Sequence, residues 1–223
     1  MIRLALQMIF LVLPWPLRRR LLSACLGHKL DPQARIGLSI VLADDVELGR
    51  NARLGHFTYI ARMDRLQMAA DSYIGNFNWI GGLSTRVVTP FFRGIKNRRS
   101  EFIIGEGSMV GHQHYIDCTD SVTIGRYAGI AGVRSQFLTH GVEIIRCRQS
   151  CAPIVIGDYT MIGSGSLIMK GVILPDRCIV AAGSVITHVK AEPYSLIAGN
   201  PAECTRKVPA TAKFFHRDVA VIH

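Results

Sequence analysis

Residues 156 to 186, broken into sixes, read IGDYTM, IGSGSL, IMKGVI, LPDRCI, VAAGSV, with Ile186 opening the next group. The first position of each hexad is aliphatic: Ile156, Ile162, Ile168, Leu174, Val180 and Ile186. The fifth is small or β-branched: Thr160, Ser166, Val172, Cys178 and Ser184. A period of six fits neither an α-helix (3.6) nor a simple amphipathic strand (2.0). It fits a short strand plus a tight turn, repeated as the side of a triangular β-helix coil. The aliphatic residue then points into the prism, and the fifth residue sits at a corner with no room for a large side chain.

The same phase opens the repeat region. Ile36, Leu42, Leu48, Leu54, Ile60 and Leu66 recur at spacing six, and Gly37, Ala43, Gly49, Gly55 and Ala61 follow the first five. Shorter pieces keep the pattern: Ile74 and Ile80; Ile104, Val110 and Ile116; Ile124 and Ile130. From about 36 to 187 this predicts roughly eight coils of about eighteen residues, with one inserted loop. The fold class expected is all-β, a parallel β-helix with an N-terminal helical segment and a short C-terminal cap. The chain of 223 residues divides into an apolar and basic segment, 1–30, a β-helix domain, 31–208, and a tail, 209–223.

Twenty-six Lys and Arg against sixteen Asp and Glu give a formal charge of +10. That balance favours an anionic partner: a phosphorylated cofactor, an acidic lipid surface or an acidic carrier protein. Nucleic acid is not expected, because no binding motif is visible and aromatics do not alternate with the basic residues. The six cysteines show no framework spacing, and Cys178 holds a small hexad position as a buried thiol would. Cys147 and Cys151 flank a loop as free thiols, a pair or metal ligands. A reducing cytoplasm is the expected compartment.

Met1 to Leu13 is strongly apolar and is followed by Pro14, Trp15, Pro16 and Arg18-Arg19-Arg20. The apolar run is too short to span a bilayer, which takes about 20 residues. Its charge lies on the wrong side for a secretory signal. Two readings stay open: a helix covering the open end of the β-helix, or an interfacial anchor through residues 1–22 at the inner face of the membrane.

Function in a solenoid concentrates where the repeat is interrupted, since insertions leave the stack as loops. Arg86 to Ser100 is basic, but the gap from Ile80 to Ile104 is four sixes. It therefore reads as a coil with a distorted side, either a solvated edge or a polyanion contact. The larger break is expected at about 137–153 (FLTHGVEIIRCRQSCAP), an inserted loop with His140 at its root. His112-Gln113-His114 forms a second polar group just after the inward Val110.

At these residues the chain resembles the hexapeptide-repeat acyltransferases, most of all the maltose and galactoside O-acetyltransferases and the O-acetyltransferases of bacterial polysaccharide biosynthesis. Three motifs carry the resemblance. VTIGRYAGIA, 122–131, leads to Thr139-His140-Gly141. IVIGDYTMIGSGS spans 154–166. The terminator combines AAGSVIT, 181–187, with IAGNPA, 197–202. The resemblance implies a left-handed β-helix, an exception to the usual right-handed crossover. It also implies homotrimers with active sites between subunits, and acetyl-CoA as donor. His140 matches the family's catalytic His, which would take the proton of an acceptor hydroxyl. His112, Gln113 and His114 fall at the acceptor-binding position, with His112 and His114 departing from the family's Asn/Phe pattern. Thr187 and Arg206 fall at cofactor-binding positions, and Lys207 stands in where Glu203 replaces a second Arg. Gly163 and Ser164 complete the candidate cofactor-binding set, with backbone N–H groups near them as oxyanion donors because Gly allows close approach. No metal is expected.

The function so implied is an acetyl-CoA-dependent O-acetyltransferase acting on a saccharide, a precursor of a surface polysaccharide. The alternatives are an acyltransferase using acyl-carrier protein, a zinc hydratase on the same fold, and a non-catalytic trimeric scaffold.

Overall fold

The computed structural model describes residues 2–92 and 94–220. Three parallel sheets wrap one continuous core as a left-handed β-helix. The first face stacks Lys29–Leu30, Asp45–Leu48, Arg65–Met68, Glu101–Ile104, Val122–Ile124, Ile154–Ile156 and Ile173–Leu174. The second runs from Arg35–Ile36 through Met109–His112 and Gly129–Val133 to Ser195–Gly199. The third stacks Ile40–Val41, Tyr59–Ala61, Trp79–Gly81, Tyr115–Asp117, Gln136–Leu138, Leu167–Met169 and Val185–Ile186. Seven strands on each of the first and third faces make seven full coils, close to the eight expected.

Ile156, Ile162, Ile168, Leu174, Val180 and Ile186 are all buried, as are the fifth-position residues Thr160, Ser166, Val172, Cys178 and Ser184. The small residues are corner pieces. Thr160 Oγ1 donates to Pro175 O at 2.8 Å, Ser166 Oγ to Gly163 O at 2.8 Å and Ser184 Oγ to Ala181 O at 2.7 Å. Each hydroxyl satisfies a carbonyl that the bend removes from the sheet ladder. Gly163 is required by packing between coils: a Cβ there would lie 2.5 Å from Ala182 N.

The early phase needs one correction. Val41, not Leu42, points into the core; Leu42 is half-buried. Val41 pairs with Ile60 and Ile40 with Tyr59, so this coil reaches the third face one residue early. The spacing of six at Leu42 survives because the following turn restores it at Leu48.

Helices Ile2–Phe10 and Trp15–Leu26 cover the open end of the stack. Pro14 separates them, Pro16 sits in the first turn of the second, and Gly27 closes it in the left-handed region at φ 73°. Their polar side chains replace the missing coil. Gln7 accepts the Val41 N–H through Oε1 at 2.8 Å and donates Nε2 to Val41 O. Arg18 is buried and donates to Gly37 O at 2.8 Å and Ser39 O at 2.9 Å. The exposed strand edge is thereby paired rather than left as a template for another chain. At the far end Ala202–Lys207 turns back antiparallel on Ser195–Gly199. Among the described residues no helix is long and apolar enough to cross a membrane.

Two segments, not one, leave the stack. Both depart from the edge where the third face turns into the first. One is the expected break, whose root and tip form a hairpin of His140–Glu143 with Arg148–Cys151. The other lies between Trp79–Gly81 and Glu101–Ile104 and is the longer. The expected distorted coil side is therefore an inserted loop. Its length happens to restore the hexad phase, which hid it from the periodicity.

Candidate active site

Asp117 ends its third-face strand one position after the inward Ile116. In the adjoining coils that column holds Ala61, Gly81, Leu138 and Met169, so a carboxylate there is out of pattern. Only 2% of it is exposed. Its Oδ1 accepts the Thr119 N–H at 3.0 Å and the Thr119 hydroxyl at 2.7 Å. Its Oδ2 accepts the Thr139 N–H at 2.9 Å and the His140 N–H at 3.1 Å. The same oxygen lies 2.7 Å from His140 Nδ1.

Burial alone would raise the Asp117 carboxyl. Hydrogen bonds from His140, Thr119 and Thr139 outweigh it and hold the group below its ordinary range. The same hydrogen bond acts on His140 in the opposite sense, and burial and Lys170 only partly offset it, so the imidazole is raised. With Asp117 ionised, the neutral form of the imidazole carries its proton on Nδ1 and leaves the Nε2 lone pair free. The side chain of His140 is 40% exposed.

That imidazole opens onto a cavity of about 270 Å³ between the two inserted segments. Tyr59, Trp79 and Tyr115 supply its floor from the third face, and Phe92 comes from the longer insertion. Phe92 meets His140 edge-on, with ring centroids 6.2 Å apart at 82°. Arg98 holds that insertion in place. Its guanidinium stands 5.3 Å from the Phe92 ring centroid and donates to Thr119 O at 2.7 Å and to Ser84 O at 3.3 Å.

The hairpin contributes Cys151, paired across from His140. Burial first, then Asp120, pushes its thiol up to about 12, so it stays protonated and is a poor nucleophile.

The other residues singled out in the sequence lie elsewhere on the prism. Thr187 is exposed on the same edge as His140, two coils further along. His112, Gln113, His114, Gly163 and Ser164 lie along the edge between the second and third faces. Arg206 and Lys207 are on the closing antiparallel strand. Lys207 is engaged, donating to Glu192 Oε2 at 2.8 Å.

Two of these readings change. His114 is a corner rung rather than an acceptor-binding residue. It is 1% exposed, accepts the Ser135 N–H through Nδ1 at 3.0 Å and donates its own N–H to Asn78 Oδ1 at 2.9 Å. It thus continues the series Ser39, Thr58 and Asn78, each of which serves the next corner in the same way. Gly163 is no oxyanion donor, because its N–H is spent on Val180 O at 2.9 Å in the coil ladder. His112 Nδ1 accepts the Asn76 N–H at 2.9 Å, and Gln113 is exposed at the apex of its corner. Among the described residues no group of three His, Cys, Asp or Glu is placed to hold a metal ion.

The sequence reading passed over Asp117, Thr119, Phe92 and the aromatic floor. Aligning the coils by register would have exposed Asp117 as the one acid in an Ala, Gly, Leu and Met column.

The hexapeptide fold has counterparts among known sequences and structures. Residues 153–188 match the hexapeptide repeat of succinyl-transferase. A chloramphenicol acetyltransferase from Agrobacterium fabrum is 38% identical over 53 residues, 24% of this chain and 25% of that protein. A probable macrolide acetyltransferase from Lysinibacillus sphaericus is 45% identical over 53 residues, 24% of this chain and 29% of that protein. These alignments span only about a quarter of the relatives' length. The fold is shared over far more. A polysialic acid O-acetyltransferase superposes with TM-score 0.58 at 17% identity, covering 83% of this chain and 90% of that one. A hexapeptide-repeat acetyltransferase from Vibrio cholerae does so with TM-score 0.50 at 20% identity, covering 93% and 91%. The resemblance to the hexapeptide-repeat acyltransferases is thus present in both sequence and structure.

Proposed function

We propose that this chain is an acetyl-CoA-dependent O-acetyltransferase whose acceptor is a saccharide, a precursor of a surface polysaccharide, with His140 as general base. The Asp117–His140 pair carries the reading. A sugar hydroxyl is a weak nucleophile at neutral pH, and a neutral imidazole within hydrogen-bond reach can remove its proton as the oxygen attacks the thioester carbonyl. The new C–O bond forms a tetrahedral oxyanion. Its collapse breaks the C–S bond, releases the CoA thiolate and returns the proton from His140 to the leaving group or solvent. Asp117 holds the imidazole in the required tautomer and stabilises the imidazolium that forms. No acyl-enzyme is needed, which agrees with the protonated state of Cys151.

The donor assignment is supported by the acetyltransferase relatives. The acceptor class is supported by the Thr139-His140-Gly141 and IAGNPA motifs. Thr187 shares the edge of His140, whereas His112, Gln113 and Ser164 lie on the edge between the second and third faces. A site holding all of them would be completed by a neighbouring copy, as in a homotrimer. The tip of the hairpin favours such a contact, because Ile144 and Ile145 are strongly exposed there. The helix Ile2–Phe10 also leaves Ile2, Met8 and Ile9 exposed, which supports a second role for the cap: contact with the cytoplasmic face of a membrane where a lipid-linked acceptor would lie.

Calorimetric titration with CoA and acetyl-CoA tests the donor without knowledge of the acceptor. Saturable binding near one per subunit is expected. Silence at millimolar CoA, with acyl transfer from acyl-carrier protein instead, would replace the donor; silence towards both would leave a scaffold. Saccharides, chloramphenicol and a macrolide offered side by side with acetyl-CoA test the acceptor class.

A further inference from the structure

Tyr59, Trp79 and Tyr115 occupy the same outward position on three consecutive coils, and their backbones are in register, Tyr59 with Trp79 and Trp79 with Tyr115. Strands in a sheet stand about 4.8 Å apart, so the column is about 10 Å long. Tyr59 and Trp79 have ring centroids 5.2 Å apart. Trp79 is 58% and Tyr115 44% exposed. The same outward position is Ile40 before the column and Gln136 and Leu167 after it. The aromatics therefore stop at the level where the His140 hairpin leaves, and all three line the His140 cavity.

We infer that this column is a stacking track for an oligosaccharide of two or three pyranose rings, laid along the third face with its terminal hydroxyl at His140. The inference rests on the reading of His140 as the base for transfer to a saccharide. A pyranose ring has a face of C–H groups and a rim of hydroxyls. The face stacks on aromatic rings through apolar contact and weak C–H interactions. The rim needs hydrogen-bonding groups beside the stack, and Arg62, Thr119 and Gln149 line the same cavity.

Two other occupants fit less well. A nucleotide would also stack, but Arg62 is the only Lys or Arg among the described lining residues, a poor match for a chain of phosphates. A second copy of this chain packing on the third face would also cover the apolar Ile40, Leu167 and Val185, whereas only the three aromatics of that column line the His140 cavity. Stacking reads the ring face more than the hydroxyl pattern, so the track should accept pyranose oligomers of more than one sugar.

The chain has two tryptophans, Trp15 and Trp79. A Trp15→Phe variant leaves Trp79 as the only indole reporter. It is titrated with glucose, maltose, maltotriose and ADP while its emission is followed. Maltotriose is expected to shift the emission saturably and to bind roughly tenfold more tightly than glucose, from the added stacked rings. Tyr115→Ala in the same background should bring maltotriose close to maltose in affinity. Tyr115 is substantially exposed, and circular dichroism checks that the variant folds.

The inference is overturned by any of four results: no response to the sugars at millimolar concentration, equal affinity for glucose and maltotriose, a response to ADP alone, or a blue shift that depends only on protein concentration. CoA binding measured on the same samples separates the two readings. A sugar response without CoA binding removes the transfer reading alone, and CoA binding without a sugar response removes the track alone.

Discussion

Asp117 and His140 belong to adjacent coils, and the 2.7 Å bond between Oδ2 and Nδ1 crosses the boundary between them. Thr139, which joins the two coils beside that bond, donates its N–H to the same carboxylate oxygen. The imidazole is thus held by the β-helix itself rather than by the tip of the hairpin. In the proposed role of general base, an imidazole fixed in this way has little freedom to lose when the acceptor arrives.

Replacing His140 by Ala is expected to lower kcat by about 10²–10⁴, the usual contribution of a general base. CoA binding should be retained. Steady-state kinetics against an identified acceptor, with CoA titration as control, measures both. Activity within a few-fold of the parent protein would remove His140 from the mechanism.

The pH profile follows from the raised imidazole. A base works when deprotonated, so kcat/KM should rise with pH through the His140 value, which lies above the ordinary 6.5. In Asp117→Asn the principal cause of the elevation is gone, and this limb should move to lower pH. The maximal rate should also fall, because an amide does not stabilise the imidazolium. A limb that stays in place in Asp117→Asn would contradict the assignment.

Acid stability should depend on two buried histidines. Burial, with Arg3 nearby, lowers His28 to about 4, and burial, with His112 nearby, lowers His114 to about 4. Between pH 6.5 and 4 the unfolded chain binds protons at these sites that the folded chain does not, so stability falls as pH falls through that window. Asp117 adds to the loss at lower pH, since its folded value is depressed. His140 has the opposite sign, its contribution fading as pH rises through its folded value. His114→Asn copies the Asn78 rung and should flatten the decline in thermal midpoint between pH 6.5 and 4. An unchanged decline would show that His114 does not titrate as inferred.

Arg18→Met should weaken the N-terminal cap. It removes the donors to Gly37 O and Ser39 O. Gly37 O keeps the Ser39 N–H, but the buried Ser39 carbonyl is left unpaired, a loss of about 1–3 kcal/mol. Urea unfolding gives the value directly. A change within a few tenths would mean that solvent can replace the guanidinium there.

Arg98→Ala should release the longer insertion from Thr119 O and the Phe92 ring. Phe92 would then cease to wall the cavity beside His140. The expected result is a raised KM for acceptor, little change in CoA binding, and faster proteolysis between residues 84 and 98. Unaltered proteolysis would show that other contacts hold the segment.

The periodicity from Ile156 to Ile186 was enough to place every one of its aliphatic residues in the core, because one face of each strand must be apolar and the coil repeats that demand. The same logic failed at Leu42, where a corner one residue shorter turned Val41 inward, and at the longer insertion, whose length imitates whole hexads. His140 was legible from its place in an interruption. Asp117 was not, because its partner lies 23 residues away in sequence and meets it only through strand register. His114 looked like a binding residue because its polar ring stands beside Gln113, but that ring is buried at the corner and its Nδ1 is taken by the Ser135 N–H.

Both insertions leave from one edge while the coils on either side stay in parallel register, Gly81 with Asp117 and Leu138 with Met169. Doubling the length of a flexible loop costs only about 0.6 kcal/mol in closure entropy. The two segments can therefore lengthen, shorten or be exchanged without disturbing the stack that fixes Asp117 beside His140. On the proposed reading, such a scaffold separates the inheritance of the reaction from that of its acceptor: descendants can diverge in what they modify while the Asp117–His140 pair is handed on unchanged.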